Sequence, residues 1–274
     1  MRRSSKTRAM HRRVWDVGIA STFLALIMVL GAVDLAAQAM PAPQTPQTIP
    51  EIAYKFIGIW GRHEDVRGNC GSYKDSRGKP LDNCSVEVDK LPMNDRARAW
   101  LNYVDELQSP SLNDCAAITV VNLIGDVRPF AISFKTDSVV INYEHANIIR
   151  PIWTDGRRHP PPTDLYYQGH SVGHWEGNEL VVETTNFTFD PDGMDDHLHF
   201  PGSTRKRVIE RYSLLPDDMM KIEATIEDSV FLTKPFVSIH TWKKTQVPLV
   251  GWWECDPEIT RREMEATAPV KYKN

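Results

Sequence analysis

The chain has 274 residues and a formal net charge of −4, with 32 Lys and Arg residues against 36 Asp and Glu residues. Residues 1–39 carry six basic and two acidic side chains, so their removal would change the formal charge from −4 to −8. Nucleic-acid binding needs clustered positive charge, and an acidic chain with no basic stripe is a poor candidate for it.

The first 39 residues have the pattern of an export signal. A basic start is followed by an apolar run at residues 17–33 and by Ala37-Gln38-Ala39, a small-x-small cleavage pattern. An apolar run of about 17 residues is at the lower limit for crossing a bilayer, so cleavage is favoured over a membrane anchor. We therefore expect a periplasmic or secreted protein that keeps no stable membrane span.

The chain contains four cysteines, at Cys70, Cys84, Cys115 and Cys255. Disulfides are the default expectation in an exported chain, and three connectivities are open. We favour a local Cys70–Cys84 link and a Cys115–Cys255 link between the start and the end of the sheet. The chain has no Cys-x-x-Cys pair, which disfavours a redox motif and a structural zinc site.

The segment before the main sheet is predicted to have two parts. Residues 40–50 form a linker rich in Pro, Gln and Thr, and residues 51–125 form a loop and helix section that packs on the sheet. Gly58-Ile59-Trp60 is similar to the Gly-x-Trp of the first strand in lipocalin-type barrels, although a plain core tryptophan explains it equally well. Asn94 is predicted to cap a helix over residues 95–107.

Residues 126–260 are predicted to form an antiparallel β domain, followed by a C-terminal tail at residues 261–274. Turn residues separate nine expected strands, at residues 130–135, 138–145, 148–154, 168–175, 179–187, 205–214, 219–228, 235–244 and 250–255. Short connections make sequential strands neighbours. The expected fold is therefore all-β, an antiparallel meander of about eight to ten strands that closes into a barrel-like or sandwich domain.

The hairpin around Gly177-Asn178 is the most informative stretch. A two-residue loop there places Trp175 opposite Leu180 and Val172 opposite Glu183. Because successive side chains of a strand point to opposite faces, one face is apolar and contains Trp175. The other face carries His170, His174 and Glu183.

Glu183 would lie diagonally between His170 and His174, within reach of a long side chain. A His–carboxylate pair is suited to proton transfer, so His170 and Glu183 are candidate catalytic residues, and the carboxylate should raise the His170 pKa above about 6.5. A solvated polar face of an antiparallel sheet explains the same residues. The two imidazoles lie about 13 Å apart along a strand, too far apart to share one metal ion.

A loop beside the hairpin carries further candidate binding residues, Asp155, Arg157 and His159. Polar side chains on a loop held by a rigid sheet are suited to the rim of a pocket. Turn chemistry and a stiff proline-rich connector explain them equally well. Three aromatic residues are the candidates for lining such a pocket: Trp153, Tyr212 and Trp242.

His197 and His199 have the strand spacing that suits one metal ion, since residues i and i+2 share a face. They lie in a polar loop beside Asp195 and Asp196, where solvated side chains are the simpler interpretation. We therefore expect neither a metal ion nor a cofactor.

The combined motifs resemble a large group of exported bacterial proteins that have no assigned activity. The match covers about residues 110–256. Its motifs are Trp153-Thr154-Asp155-Gly156-Arg157-Arg158-His159-Pro160, Gly169-His170-Ser171-Val172-Gly173-His174-Trp175-Glu176-Gly177 with Leu180-Val181-Val182, Glu210-Arg211-Tyr212 and Thr225-Ile226-Glu227-Asp228. The resemblance implies no activity or ligand. Asn178, Ser229 and Phe236 stand where the group usually has Asp, Pro and Trp.

Three functions are compatible with these patterns. The first is binding of a small, partly apolar molecule in a pocket of the β domain. The second is a cofactor-independent acid/base enzyme, of lyase, isomerase or hydrolase type, that uses His170 and Glu183. The third is an envelope interaction protein without catalysis. The sequence leaves the ligand and the oligomeric state open.

Overall fold

The computed structural model describes residues 49–62, 91–103, 117–196 and 199–250, together with residues 256, 258, 259 and 262. All of them belong to one compact unit, residues 42–274. The expectations for the export signal, the four cysteines and His197 lie outside the described residues, as do residues 251–255 of the strand predicted at residues 250–255.

The described strands confirm the predicted all-β fold. Their bounds are β1 Gly58–Arg62, β2 Phe130–Phe134, β3 Ser138–Tyr143, β4 Ile149–Trp153, β5 His170–Glu176, β6 Glu179–Thr185, β7 Asp190–Asp195, β8 Phe200–Gly202, β9 Arg207–Leu215, β10 Met219–Glu227 and β11 Phe236–Thr245. Nine of them close into a barrel in the order β1, β11, β10, β9, β6, β5, β4, β3, β2, and β2 pairs with β1. The predicted alternatives are thereby resolved in favour of a barrel.

Short helices accompany the barrel. Helix α1 is Asp95–Tyr103, α2 is Val120–Gly125, and two 3-10 helices are Glu51–Phe56 and His145–Asn147. The predicted cap is confirmed, because the Ala97 N–H donates to Oδ1 of Asn94 at 3.1 Å. In the part of the chain that the structure describes, no helix has the length and apolarity needed to cross a membrane.

Three features differ from the expected meander. Strand β1 comes from the section predicted as loop and helix, yet it pairs with both β2 and β11 and closes the barrel. Strands β4 and β5 are parallel, because the sixteen residues between them are enough for the chain to run back before it re-enters the sheet. Strands β7 and β8 form a separate two-stranded sheet where a polar loop was expected.

The predicted hairpin register is confirmed at every pair from His170–Thr185 to Glu176–Glu179. Gly177 has φ of +60°, whereas Asn178 keeps a negative φ. A positive φ at the first loop position alone is typical of a type II′ turn, where glycine is favoured. Trp175 points into the barrel, and its ring contacts the rings of Phe56 and Phe134.

Large aromatic side chains occupy much of the barrel interior. Trp60 is buried, and its indole N–H donates to the Phe56 carbonyl at 2.9 Å, which ties β1 to the preceding 3-10 helix. Phe130 packs edge-on against Trp242 with ring centroids 4.6 Å apart. The Gly-x-Trp tryptophan is therefore a core residue at the start of the barrel.

Gly173 provides a packing test of this interior. A Cβ at Gly173 would lie 2.7 Å from Cγ2 of Ile152, whereas a Cβ at Gly61 would lie no closer than 3.5 Å to Thr245. Overpacking a dense core costs about 1–3 kcal/mol, so Gly173→Ala should lower the free energy of unfolding by that amount and Gly61→Ala should leave it nearly unchanged. Urea unfolding of both variants measures this, and equal midpoints would contradict the packing described here.

Candidate functional site

The candidate residues lie on two sides of the barrel wall. Tyr212 and Trp242 point inward and are completely buried. The other six lie outside and are partly exposed. We call these six the outer histidine patch: Trp153, Asp155, Arg157, His159, His170 and Glu183.

Asn186 makes several hydrogen bonds to the loop that carries His159. Asn186 adopts φ of +58°, and its side-chain N–H groups donate to the carbonyls of Pro160, Pro161 and Asp164 at 3.3, 2.8 and 3.0 Å. The Asn186 carbonyl accepts the Tyr166 N–H at 2.8 Å. These bonds fix the proline-rich connector against the end of β6, and they place His159 beside β5.

Arg157 is paired with Asp155 within the patch. Its guanidinium donates to both carboxylate oxygens of Asp155, with a shortest distance of 2.6 Å, and lies 3.6 Å from the centroid of the Trp153 ring. The hydrogen bond from Arg157 is the main cause that lowers the Asp155 pKa. An arginine held in this way has little free charge to offer an anion.

His159 and His170 contact each other directly. Their Nδ1 atoms are 3.1 Å apart, and the ring planes are inclined by 75°. Nε2 of His159 is buried, has no hydrogen-bond partner among the described residues, and lies 3.9 Å from Oε2 of Glu183.

The expected His170–Glu183 pair needs correction. Nε of Arg207 donates to Glu183 at 2.5 Å, and His159 is the histidine near this carboxylate. Burial, followed by the charges of His159 and Arg157, lowers the His170 pKa from 6.5 to about 4. The predicted rise in pKa is therefore wrong, because burial disfavours the charged imidazole and the loop brings a second imidazole into the position expected for the carboxylate.

Sequence reasoning missed an ion pair inside the barrel. The Arg150 guanidinium donates to both carboxylate oxygens of Glu210, and the two side chains are 2% and 0% exposed. The Tyr212 hydroxyl also donates to Oε1 of Glu210 at 2.6 Å. Burial alone would lower the Arg150 pKa, but the Glu210 charge outweighs it and raises the pKa well above its ordinary value.

The remaining donors of Arg150 also have partners. Nε donates to Oγ of Ser171 at 3.0 Å, and one terminal nitrogen donates to Oγ1 of Thr184 at 2.8 Å. The other terminal nitrogen lies 3.5 Å from the Tyr143 hydroxyl. Because a buried charge is tolerated only when it is paired and hydrogen-bonded, this network explains how the interior holds two charges. We call it the inner polar network.

Another part of the interior carries nitrogen atoms without described partners. His240 and Trp242 are two residues apart on β11, so both side chains point inward. Nε2 of His240 contacts Oγ of Ser238 at 2.6 Å, whereas its Nδ1 and the Trp242 Nε1 are buried without a hydrogen-bond partner in the described chain. The Arg62 guanidinium lies 5.4 Å from the Trp242 ring centroid. This group is the inner donor pair, His240 and Trp242.

A buried lysine joins the small sheet to the barrel. Nζ of Lys206 donates to the Gly193 carbonyl, lies 3.5 Å from Oγ1 of Thr119, and lies 4.4 Å from the centroid of the Phe187 ring. Burial lowers its pKa from 10.5 to about 8. A Cβ at Gly202 would lie 2.7 Å from this Nζ and 3.2 Å from the Gly193 main chain, so a side chain there would crowd both.

Two of the histidines considered for metal binding, His174 and His199, have protein partners. Nε2 of His174 contacts Glu176 at 2.9 Å, and Nδ1 of His199 contacts Asp192 at 3.0 Å. In the described ranges, no group of three His, Cys, Asp or Glu side chains has the arrangement of a metal site.

A sequence signal for the inner polar network did exist. Arg150 is two residues from the inward-facing Ile152, and Glu210 lies between the inward-facing Val208 and Tyr212 at the same spacing. Opposite charges that share the apolar face of two strands indicate a buried pair. The sequence does not show that these two strands lie close enough to join them.

Comparisons with known proteins give little further information. No family model matches the chain, and no curated protein matches it. Two solved structures are similar, a point mutant and the wild type of the fluorescent protein UnaG. Each is 12% identical; they cover 71% and 70% of this chain and 99% and 98% of their own, with TM-scores of 0.32 and 0.30. At these values the likeness carries no argument about function.

The inner polar network gives a stability prediction. Glu210→Gln leaves a buried guanidinium without its counter-charge, which should lower the free energy of unfolding by about 3–5 kcal/mol. Glu179→Gln makes the same chemical change at a partly exposed ion pair with Arg211 and should cost at most about 1 kcal/mol. Denaturant unfolding measures both, and comparable losses would show that the Arg150–Glu210 pair is not buried as described.

His240 gives a prediction about pH. Burial, and then the charge of Arg62, lower its pKa from 6.5 to about 3, so the unfolded chain takes up this proton first as the pH falls. The folded state should therefore lose stability as the pH falls from about 6.5 towards 3. His240→Gln should lose less stability than the wild type between about pH 7 and 4. If the wild type and His240→Gln lost stability in parallel as the pH falls, the lowered His240 pKa would be refuted.

Proposed function

We propose that this chain is an exported protein whose barrel binds a small, partly apolar molecule in its interior. The supporting observation is the inner donor pair, which presents two buried ring nitrogens that lack hydrogen-bond partners in the described chain. Buried polar groups in folded proteins are nearly always hydrogen-bonded to protein, water or ligand. A bound molecule that accepts a hydrogen bond would satisfy the Trp242 indole N–H.

The surroundings of the inner donor pair favour a ligand with an apolar body. Phe130 packs edge-on against the Trp242 ring at 4.6 Å, and Met220 and Ile222 face Trp242 and His240 from the neighbouring strand. Small-molecule sites commonly combine an apolar lining with a few polar groups that fix the orientation of the ligand. One or two polar atoms on a largely apolar molecule would match this lining.

The inner polar network should not offer a free charge to the ligand. Arg150 and Glu210 neutralise each other, and the described donors of Arg150 are all engaged. A ligand that approached them would have to displace hydrogen bonds that are already made, which is costly in a buried site. The inner donor pair is therefore the better place for the polar atoms of the ligand.

Export is supported by the sequence. The basic start, the apolar run and the small-x-small motif in residues 1–39 match a cleavable signal, and removal of this segment would leave a more acidic chain. A periplasmic or secreted location is the part of the proposal that these residues support.

Binding can be tested with the fluorescent apolar probe 1-anilinonaphthalene-8-sulfonate and the wild-type protein. Trp242→Phe keeps an aromatic ring but removes the N–H, so it should raise the Kd by about three- to tenfold, the size expected for one hydrogen bond. Trp153→Phe is the matched control, because Trp153 lies on the outside of the barrel, and its Kd should be unchanged.

Native mass spectrometry of freshly purified protein provides a second test. A copurifying small molecule that is retained by Trp153→Phe and reduced in Trp242→Phe would support the interior site. The absence of both probe binding and a copurifying molecule, or equal loss of binding in the two variants, would contradict the proposal.

A further inference from the structure

The outer histidine patch has a geometry that interior binding does not use. Its two imidazoles come from different elements, His159 from the loop after β4 and His170 from the first position of β5. Their Nδ1 atoms are 3.1 Å apart. The bonds of Asn186 to the loop maintain this approach, so it does not depend on contact between the rings alone.

The distance between these nitrogen atoms matches two ligands of one metal ion. With metal–nitrogen bonds of about 2.0–2.1 Å, two nitrogens are about 2.9 Å apart at a right angle and about 3.3 Å apart at the tetrahedral angle. The observed 3.1 Å lies between these values. The ring planes are inclined by 75° with their centroids 5.2 Å apart, so the two imidazoles are not stacked face to face.

The other ring nitrogen of His159, Nε2, is consistent with metal binding at Nδ1. When Nδ1 of His159 binds a metal ion, its proton must reside on Nε2. That Nε2 is buried, has no hydrogen-bond partner among the described residues, and lies 3.9 Å from Glu183. Metal-binding histidines usually donate their other N–H to a carboxylate, which fixes the tautomer and the ring orientation. Metal binding would replace the hydrogen bond between the two Nδ1 atoms.

We propose that the outer histidine patch binds a divalent transition-metal ion, with Nδ1 of His159 and Nδ1 of His170 as its protein ligands. Imidazole ligands suit zinc, copper and nickel ions. Glu183, with Oε2 3.9 Å from Nε2 of His159, is the neighbouring charge of this histidine rather than a ligand of the ion. Because the described residues supply two protein ligands, water or an external ligand fills the remaining coordination positions.

The test is calorimetric titration of the EDTA-treated full-length protein with Zn²⁺. His159→Ala and His170→Ala should each raise the Kd of one site at least about tenfold, and the double variant should lose that site. His174→Ala is the matched control. His174 lies on the same face of β5 as His170, but its ring already contacts Glu176. The His174→Ala variant should bind as the wild type does. Glu183→Gln should weaken the site by about tenfold.

Electron paramagnetic resonance with Cu²⁺ gives an independent measurement. The spectrum should show coupling to two imidazole nitrogens in the wild type and in His174→Ala, and to one in either single ligand variant. Thermal unfolding in EDTA confirms that the variants are folded. Equal Zn²⁺ stoichiometry and Kd in the wild type and the double variant would overturn the proposal and leave a hydrogen-bonded histidine pair. A rise in the Zn²⁺ Kd of His174→Ala as large as that of the ligand variants would also overturn the proposal.

Discussion

The Arg150–Glu210 ion pair bridges the seam between the parallel strands β4 and β5 on the inside of the barrel. Strands β4 and β5 are parallel and share only two register pairs, so their seam has few main-chain hydrogen bonds. Arg150 crosses that seam to Oγ of Ser171 and continues to Thr184 on β6 and Glu210 on β9. One side chain therefore joins four adjacent strands from inside. Its charge requires Glu210 opposite, because an unpaired guanidinium could not remain buried.

The two-residue period of the strands separates the chemistry of the two faces. On β5, His170 points out and Ser171 points in; on β6, Glu183 points out and Thr184 points in. The inner polar network and the outer histidine patch are thus built from consecutive residues of the same strands. The sequence motifs place these residues side by side, but the barrel wall lies between their side chains.

Local patterns predicted the elements well and the long-range placements poorly. The hairpin follows from Gly177-Asn178 and strand alternation, and the Asn94 cap follows from the residue type. The direction of β5 relative to β4 depends on the path of residues 154–169, which no local pattern specifies. For the same reason the sequence suggested Glu183 as the partner of His170, whereas the returning loop places His159 there.

The interior and exterior sites can be altered separately even though their residues are neighbours. Trp242 lies on β11, and the strands β10, β9 and β6 separate it from β5 in the barrel order. The side chains of the outer histidine patch make their described polar contacts with one another and with Arg207 and Asp137, not with the interior. A substitution at His159 changes a loop contact outside the wall, whereas a substitution at Trp242 changes the lining within it. The proposed interior ligand site and the proposed outer metal site therefore depend on different residues, so a negative result for one site does not contradict the other.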